Sequence, residues 1–210
     1  MISASDVRTA VSLAAGTLRA AAGQDWRVPA GDLTWSCRET VEHIADDLFA
    51  YAGQLAVEGT PSSSSVPFGW RRNRPEGPAL TIYVEETTDN EGLLQVLESS
   101  GGLLAAVVAV APPERRAFHP YGVSDPAGFA AMGVVETLVH MHDVAAGLGL
   151  PWSPPEDLCD RSLRRLFRDV AATTTCLGSR WTTLLWATGR LELPGRPRRE
   201  NWKWDGTPAT

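Results

Sequence analysis

Lysine is nearly missing from this chain. Lys203 stands alone beside eighteen arginines in an Ala- and Pro-rich sequence, a bias expected of a high-GC genome. Positive charge is short overall. The 19 Lys+Arg against 25 Asp+Glu leave a formal net charge of −6, which opposes non-specific binding to nucleic acid or anionic lipid. Cysteine is scarce and odd in number. Cys37, Cys159 and Cys176 show no C-x-x-C spacing, so neither a disulfide framework nor a cysteine zinc knot is indicated and free thiols are expected. Long apolar runs are missing too. The longest, Leu103 to Pro112, falls short of the ~20 residues that cross a bilayer, and Met1 to Leu13 carries Asp6 without a basic flank leading into an apolar stretch. A cytoplasmic protein with neither nucleic-acid nor membrane partner is expected.

What is present is an ordinary globular composition, 210 residues with 43% hydrophobic, enough for one domain with a substantial core. Apolar steps of three and four predict a first helix over Ser5 to Ala22. The capping pattern Ser36-Cys37-Arg38-Glu39 predicts a second, running to Gly59. From Thr60 to Thr88 the chain turns irregular, with four prolines and the cluster Arg71-Arg72-Asn73-Arg74, which suits a lid over a site or a crossover packed on the bundle. A third helix is predicted from Asp89 to Ala111, stopped by Pro112-Pro113, with Gly101-Gly102 as a point of bending. Asp125-Pro126 opens a fourth that ends at Gly147 or Gly149. Two further helical pieces are expected over Glu156 to Cys176 and Ser179 to Thr188, then an extended arm in which Trp202-Lys203-Trp204 alternates. The fold class is therefore all-α: a four-helix bundle with one long crossover over about residues 5–150, plus a C-terminal helical extension and arm over 151–210, in one domain.

The fourth helix carries the chemistry. In Glu136-Thr137-Leu138-Val139-His140-Met141-His142-Asp143, residues 136, 140 and 143 fall on one face at 100° per residue, while the rest of the helix is apolar. A buried carboxylate and imidazole without partners would cost about 2 to 7 kcal/mol or more, so a metal or a tight hydrogen-bond network is required. His43 on the second helix is the natural third member. Two imidazoles and one carboxylate from two helices leave an open position for water or substrate and suit zinc or a similar divalent ion. The expected ligands are His43, Glu136 and His140. His43 lies off the middle of its own helix's apolar arc, beside Asp47, Ala50 and Gln54, which points to a small polar cavity.

Leu33-Thr34-Trp35-Ser36 leading into Val41-Glu42-His43-Ile44, followed by Glu136 to Val144, resembles in order and spacing the DinB-like superfamily, specifically the N-terminal domain of mycothiol-dependent maleylpyruvate isomerases. The resemblance implies a divalent metal, zinc first and nickel, iron or manganese as alternatives, on His43, Glu136 and His140, with Asp143 behind them. It also implies mycothiol as thiol co-substrate, held as thiolate against an electrophilic substrate for S-transfer or isomerisation, and an actinobacterial source. The resembling isomerases carry a separate C-terminal domain, whereas here residues 150–210 alone follow the fourth helix. Two other readings stand beside this one: a non-catalytic metal- or small-molecule-binding bundle, and a metal-dependent hydrolase. A monomer or a homodimer is compatible with each.

Several residues outside that set invite a function. Arg161, Arg164, Arg165 and Arg168 form a basic stripe, read as a solvated face or as a carboxylate-recognition site. His119 is placed in a loop, either overhanging the pocket as acid or base or without role. His142 points away from Glu136 and His140, and Asp46 and Asp47 are expected to face solvent, Asp47 being the better partner for the site. The C-terminal tryptophans are expected to pack an arm onto the bundle. Cys37 has no basic partner in view and is not nominated as nucleophile.

Overall fold

The computed structural model describes residues 1–59, 63–173 and 178–208. Cys176, residues 60–62 of the crossover and residues 209–210 of the arm lie outside them. Four long helices make the bundle: α1 (Ala4–Arg19), α2 (Cys37–Ala56), α3 (Asn90–Val110) and α4 (Pro126–Leu148). Each begins where a side chain satisfies orphaned amides. Ser36 accepts from the Glu39 amide while the Glu39 carboxylate accepts from Ser36, and Asp89 and Asp125 accept from the amides of Gly92 and Gly128. α3 and α4 each pack against both α1 and α2. α4 is central and almost wholly buried, as its apolar circumference requires.

Glycine sets two close approaches. A Cβ at Gly133 would stand 2.6 Å from Leu104 Cδ2 and 2.9 Å from Leu48 Cδ2, so this position lets α4 seat between α2 and α3. Gly101 does the same for α3 against Val11 of α1, and α3 is one helix through Gly101-Gly102. Of the two candidate stops for α4, the cap is Gly149, at φ 67.

By length and mean hydropathy, 1.8, α3 is also apolar enough to cross a membrane. Leu93, Leu94, Leu97, Leu104 and Ala105 of α3 are buried inside the bundle.

The crossover holds a small antiparallel hairpin, β1 (Arg71–Arg72) with β2 (Ala79–Leu80), Arg71 facing Leu80 and Arg72 facing Ala79. It is fastened along α2. Arg74 donates to Glu39, Asp46 Oδ1 accepts the amides of Thr81 at 2.7 Å and Ile82 at 2.8 Å, and Gln54 Oε1 accepts the Val66 amide at 2.7 Å. Asp46 is therefore buried, which corrects the expectation of a solvent-facing carboxylate.

The expected helix over Glu156 to Cys176 is broken. α5 (Glu156–Leu166) and α6 (Arg168–Thr173) are separated by Phe167, at φ −124 and ψ 57. The cause lies far along the chain: the Asp205 amide takes the Leu166 carbonyl that a continuing helix would use. α7 (Arg180–Ala187) follows. In the arm, Trp202 is half-buried, Lys203 exposed and Trp204 buried, the period-two pattern of an extended chain lying on a surface.

Three of the four stripe arginines serve this packing, while Arg164, 67% exposed, stays on a solvated face. Arg161 pairs with Asp6 and Asp157, Arg164 with Asp160, Arg165 with Asp125 and the Gly206 carbonyl, and Arg168 with Asp205 and the Thr207 carbonyl. Arg161 and Arg165 tie α5 to α1, to the start of α4 and to the arm, Arg168 ties α6 to the arm, and Arg164 pairs within α5.

Candidate metal centre

α4 presents Glu136, His140 and Asp143 on one face, as their spacing requires, and α2 brings His43 alongside. Each of His43, Glu136 and His140 offers one donor atom, and the three atoms lie within 4.8 Å of one another. His140 Nε2 stands 3.1 Å from Glu136 Oε2, close to the edge, about 3.3 Å, of a tetrahedron with zinc bonds of 2.0–2.1 Å. The three side chains are 11 to 19% exposed, sheltered from solvent without being sealed from it. Two imidazoles and a carboxylate fit a borderline divalent ion such as zinc.

Behind the cluster, Asp143 Oδ2 lies 3.4 Å from His140 Nδ1 and 2.9 Å from an Arg190 guanidinium nitrogen. The His140 contact is too poorly aligned for a full hydrogen bond, and Nδ1 has no better partner. Even so, the carboxylate fixes which nitrogen faces inward, leaving Nε2 toward Glu136 and His43. Arg190 lies beyond the expected site, at the C-terminal side of α7, and nothing in its sequence neighbourhood marks it.

Trp35 closes one flank. Its ring meets His43 edge-on at 4.9 Å and stacks on His140 at 6.2 Å, while its indole N–H donates to the Glu76 carbonyl. On the opposite flank Asp47 Oδ2 lies 3.4 Å from His43 Nε2, and Tyr51, one turn on, faces Glu136. Tyr51 was not anticipated; its i+4 and i+8 relation to Asp47 and His43 was the available signal. His142 leaves the cluster and meets Trp181 edge-on at 5.9 Å, as its position on the helix requires. Cys37 is buried against the Pro29 and Val144 carbonyls, and burial pushes its thiol up to about 11, the property of an inert cysteine.

Protonation is divided among neighbours. Burial pulls His43 down to about 4, assisted by the adjacent His140. Burial acts the same way on His140, but the adjacent Asp143 and Glu136 carboxylates overcome it and raise the ring to about 9. Glu136 is held below its usual range: burial opposes ionisation, and the His140 hydrogen bond outweighs it. Burial, with the Glu136 charge nearby, drives Asp47 well upward, and burial with the Asp47 and Glu136 charges does the same to Tyr51. Metal-free, the cluster holds a protonated His140 against an ionised Glu136 beside a neutral His43.

A cavity of about 290 Å³ adjoins the Asp47 and Tyr51 flank, bounded by α2, the crossover and the loop that carries His119. The crossover thus lines a cavity as well as packing on the bundle. A family model for the mycothiol maleylpyruvate isomerase N-terminal domain matches residues 7–145. No curated protein and no solved structure matches the chain.

Proposed function

The chain belongs to the mycothiol maleylpyruvate isomerase N-terminal domain family, and from that membership we propose an enzyme that uses a divalent metal and a low-molecular-weight thiol, mycothiol, to attack an electrophilic small molecule. The ligands in this reading are His43, Glu136 and His140, and zinc is the metal that two imidazoles and one carboxylate suit best, with nickel, iron or manganese as alternatives. The observation that carries the reading is the convergence of those three donor atoms within 4.8 Å.

A bound cation supplies the stabilisation that keeps a thiol deprotonated at neutral pH. The protein's own residues do the rest. Asp143, itself held by Arg190, orients His140; Trp35 shields one flank from water; and the cavity beside Asp47 and Tyr51 gives the electrophile a way to the sulfur. S-transfer or isomerisation follows from how the thiol adduct is resolved.

Cobalt substitution tests this. Titrating a thiol into the cobalt form is expected to produce a sulfur-to-metal charge-transfer band, lost in His140→Ala. A cobalt-bound protein with no spectral response to thiol would shift the reading to hydrolysis or simple binding.

A further inference from the structure

The cavity beside the metal centre has a lining that restricts what enters it. Besides His119, five aromatic rings form its walls: Tyr51 from α2, Phe68 and Trp70 from the crossover, Phe118 from the loop before α4, and Phe129 from α4. Its volume, about 290 Å³, sits at the small end of the roughly 300–1,000 Å³ typical of small-molecule sites. Asp47 and Tyr51 belong both to this lining and to the surroundings of His43 and Glu136. Those two side chains are what stands between the cavity and the centre.

Charge is the first restriction. Among the described residues of the lining there is no arginine and no lysine, and the ionisable acid is Asp47. A divalent cation with Glu136 and one thiolate sums to zero, so the loaded centre adds no net positive charge to hold a carboxylate. A charged carboxylate here would lose its hydration without a counter-ion.

The second restriction is a hydrogen-bond donor of fixed identity. The Tyr121 amide donates to His119 Nδ1 at 3.1 Å, so that nitrogen is bare and the neutral ring carries its proton on Nε2. The ring is caged by Tyr51, Tyr121, Phe129 and Trp204, with centroids 5.4 to 6.5 Å away. Burial in that cage pulls His119 down to about 4, which keeps it uncharged at neutral pH. His119, part of the cavity lining, thus carries one N–H and no charge.

Resting on the thiol-dependent reading above, we propose that this cavity selects an uncharged, conjugated or aromatic electrophile bearing a carbonyl oxygen, with the His119 Nε2–H as the group that recognises that oxygen. A site built to donate to a carbonyl discriminates strongly against an analogue without one, because its donor is then left unpaired.

Calorimetric titration of the full metal-free chain with 4-phenyl-3-buten-2-one, with cinnamate of the same skeleton, and with carbonyl-free β-methylstyrene tests this. The enone is expected to bind at least tenfold more tightly than cinnamate. His119→Phe should weaken the enone fivefold or more and leave β-methylstyrene within twofold, while His119→Gln, which restores an N–H, should recover most of the loss. Cinnamate binding as tightly as the enone overturns the charge argument, and equal losses for enone and β-methylstyrene overturn the role of His119. Should His119→Phe fail to fold, Ala50→Leu, which fills the cavity from α2, must weaken the enone at least tenfold, and unchanged affinity overturns the assignment. Because binding is read without thiol, enone selectivity in a protein whose cobalt form ignores thiols would remove the proposed activity and leave the cavity assignment standing.

Discussion

The imidazoles of His43 and His140, carried by different helices, stand with centroids 4.9 Å apart and planes at 85°. Two rings this close cannot both be positively charged without strong repulsion. Their surroundings separate them: burial leaves His43 neutral, with a pKa of about 4, whereas Asp143 and Glu136 raise His140 to about 9 against the same burial. The pair of rings therefore carries one positive charge at neutral pH, on the ring that faces Glu136.

The proton that gives this charge must leave when a cation arrives, because a ligating nitrogen needs its lone pair. At pH 7.5, zinc binding is expected to release about one proton per ion, read from the dependence of binding heat on buffer ionisation enthalpy. Affinity should rise with pH toward 9 and flatten beyond it. Proton release near zero at pH 7.5 would count against His140 as a ligand.

Asp143 acts on the centre through His140. Asp143→Asn keeps the shape but loses the charge that Arg190 and His140 share, and metal affinity is expected to fall about 10- to 100-fold, the usual effect of losing such a partner. Competition with a chromophoric chelator measures this, with circular dichroism as the check that the helices persist. Unchanged affinity would reduce Asp143 to a packing residue.

The four bundle helices and the Glu136–His140 face were legible in the sequence because both rest on local periodicity: a 3.6-residue repeat brings residues 136, 140 and 143 into line before any tertiary contact forms. His43 was legible only in part, since its place at the edge of the apolar arc made sense once α4 lay alongside. Asp46 was misread because its partners are backbone amides at Thr81 and Ile82, in a crossover without periodicity. The break at Phe167 and the roles of Tyr51, Trp35 and Arg190 were hidden for the same reason. Each depends on a neighbour that only the folded chain brings near, as when the Asp205 amide claims the Leu166 carbonyl.

Asp46 should matter to the fold and not to the metal. Its carboxylate takes two amides into a buried position, so Asp46→Ala leaves both unsatisfied and is expected to cost about 1–3 kcal/mol. Denaturant unfolding measures the loss. Hydrogen exchange should show it concentrated at Thr81 and Ile82, with metal uptake retained.

His119 should shape the acid limb of stability. Its folded pKa is lowered to about 4 by burial, while an unfolded histidine titrates near 6.5. The unfolded chain therefore binds more protons between those values. The stability from a neutral His119 is complete above about pH 6.5 and is lost as pH falls toward 4, by up to about 3 kcal/mol for this one group. His119→Phe preserves a ring among Tyr51, Phe129 and Trp204 and removes the titration, so the metal-free variant should lose less stability than the parent between pH 6.5 and 4.5. Urea midpoints across that range decide the matter, and parallel curves would mean that His119 gains its proton without cost inside the fold.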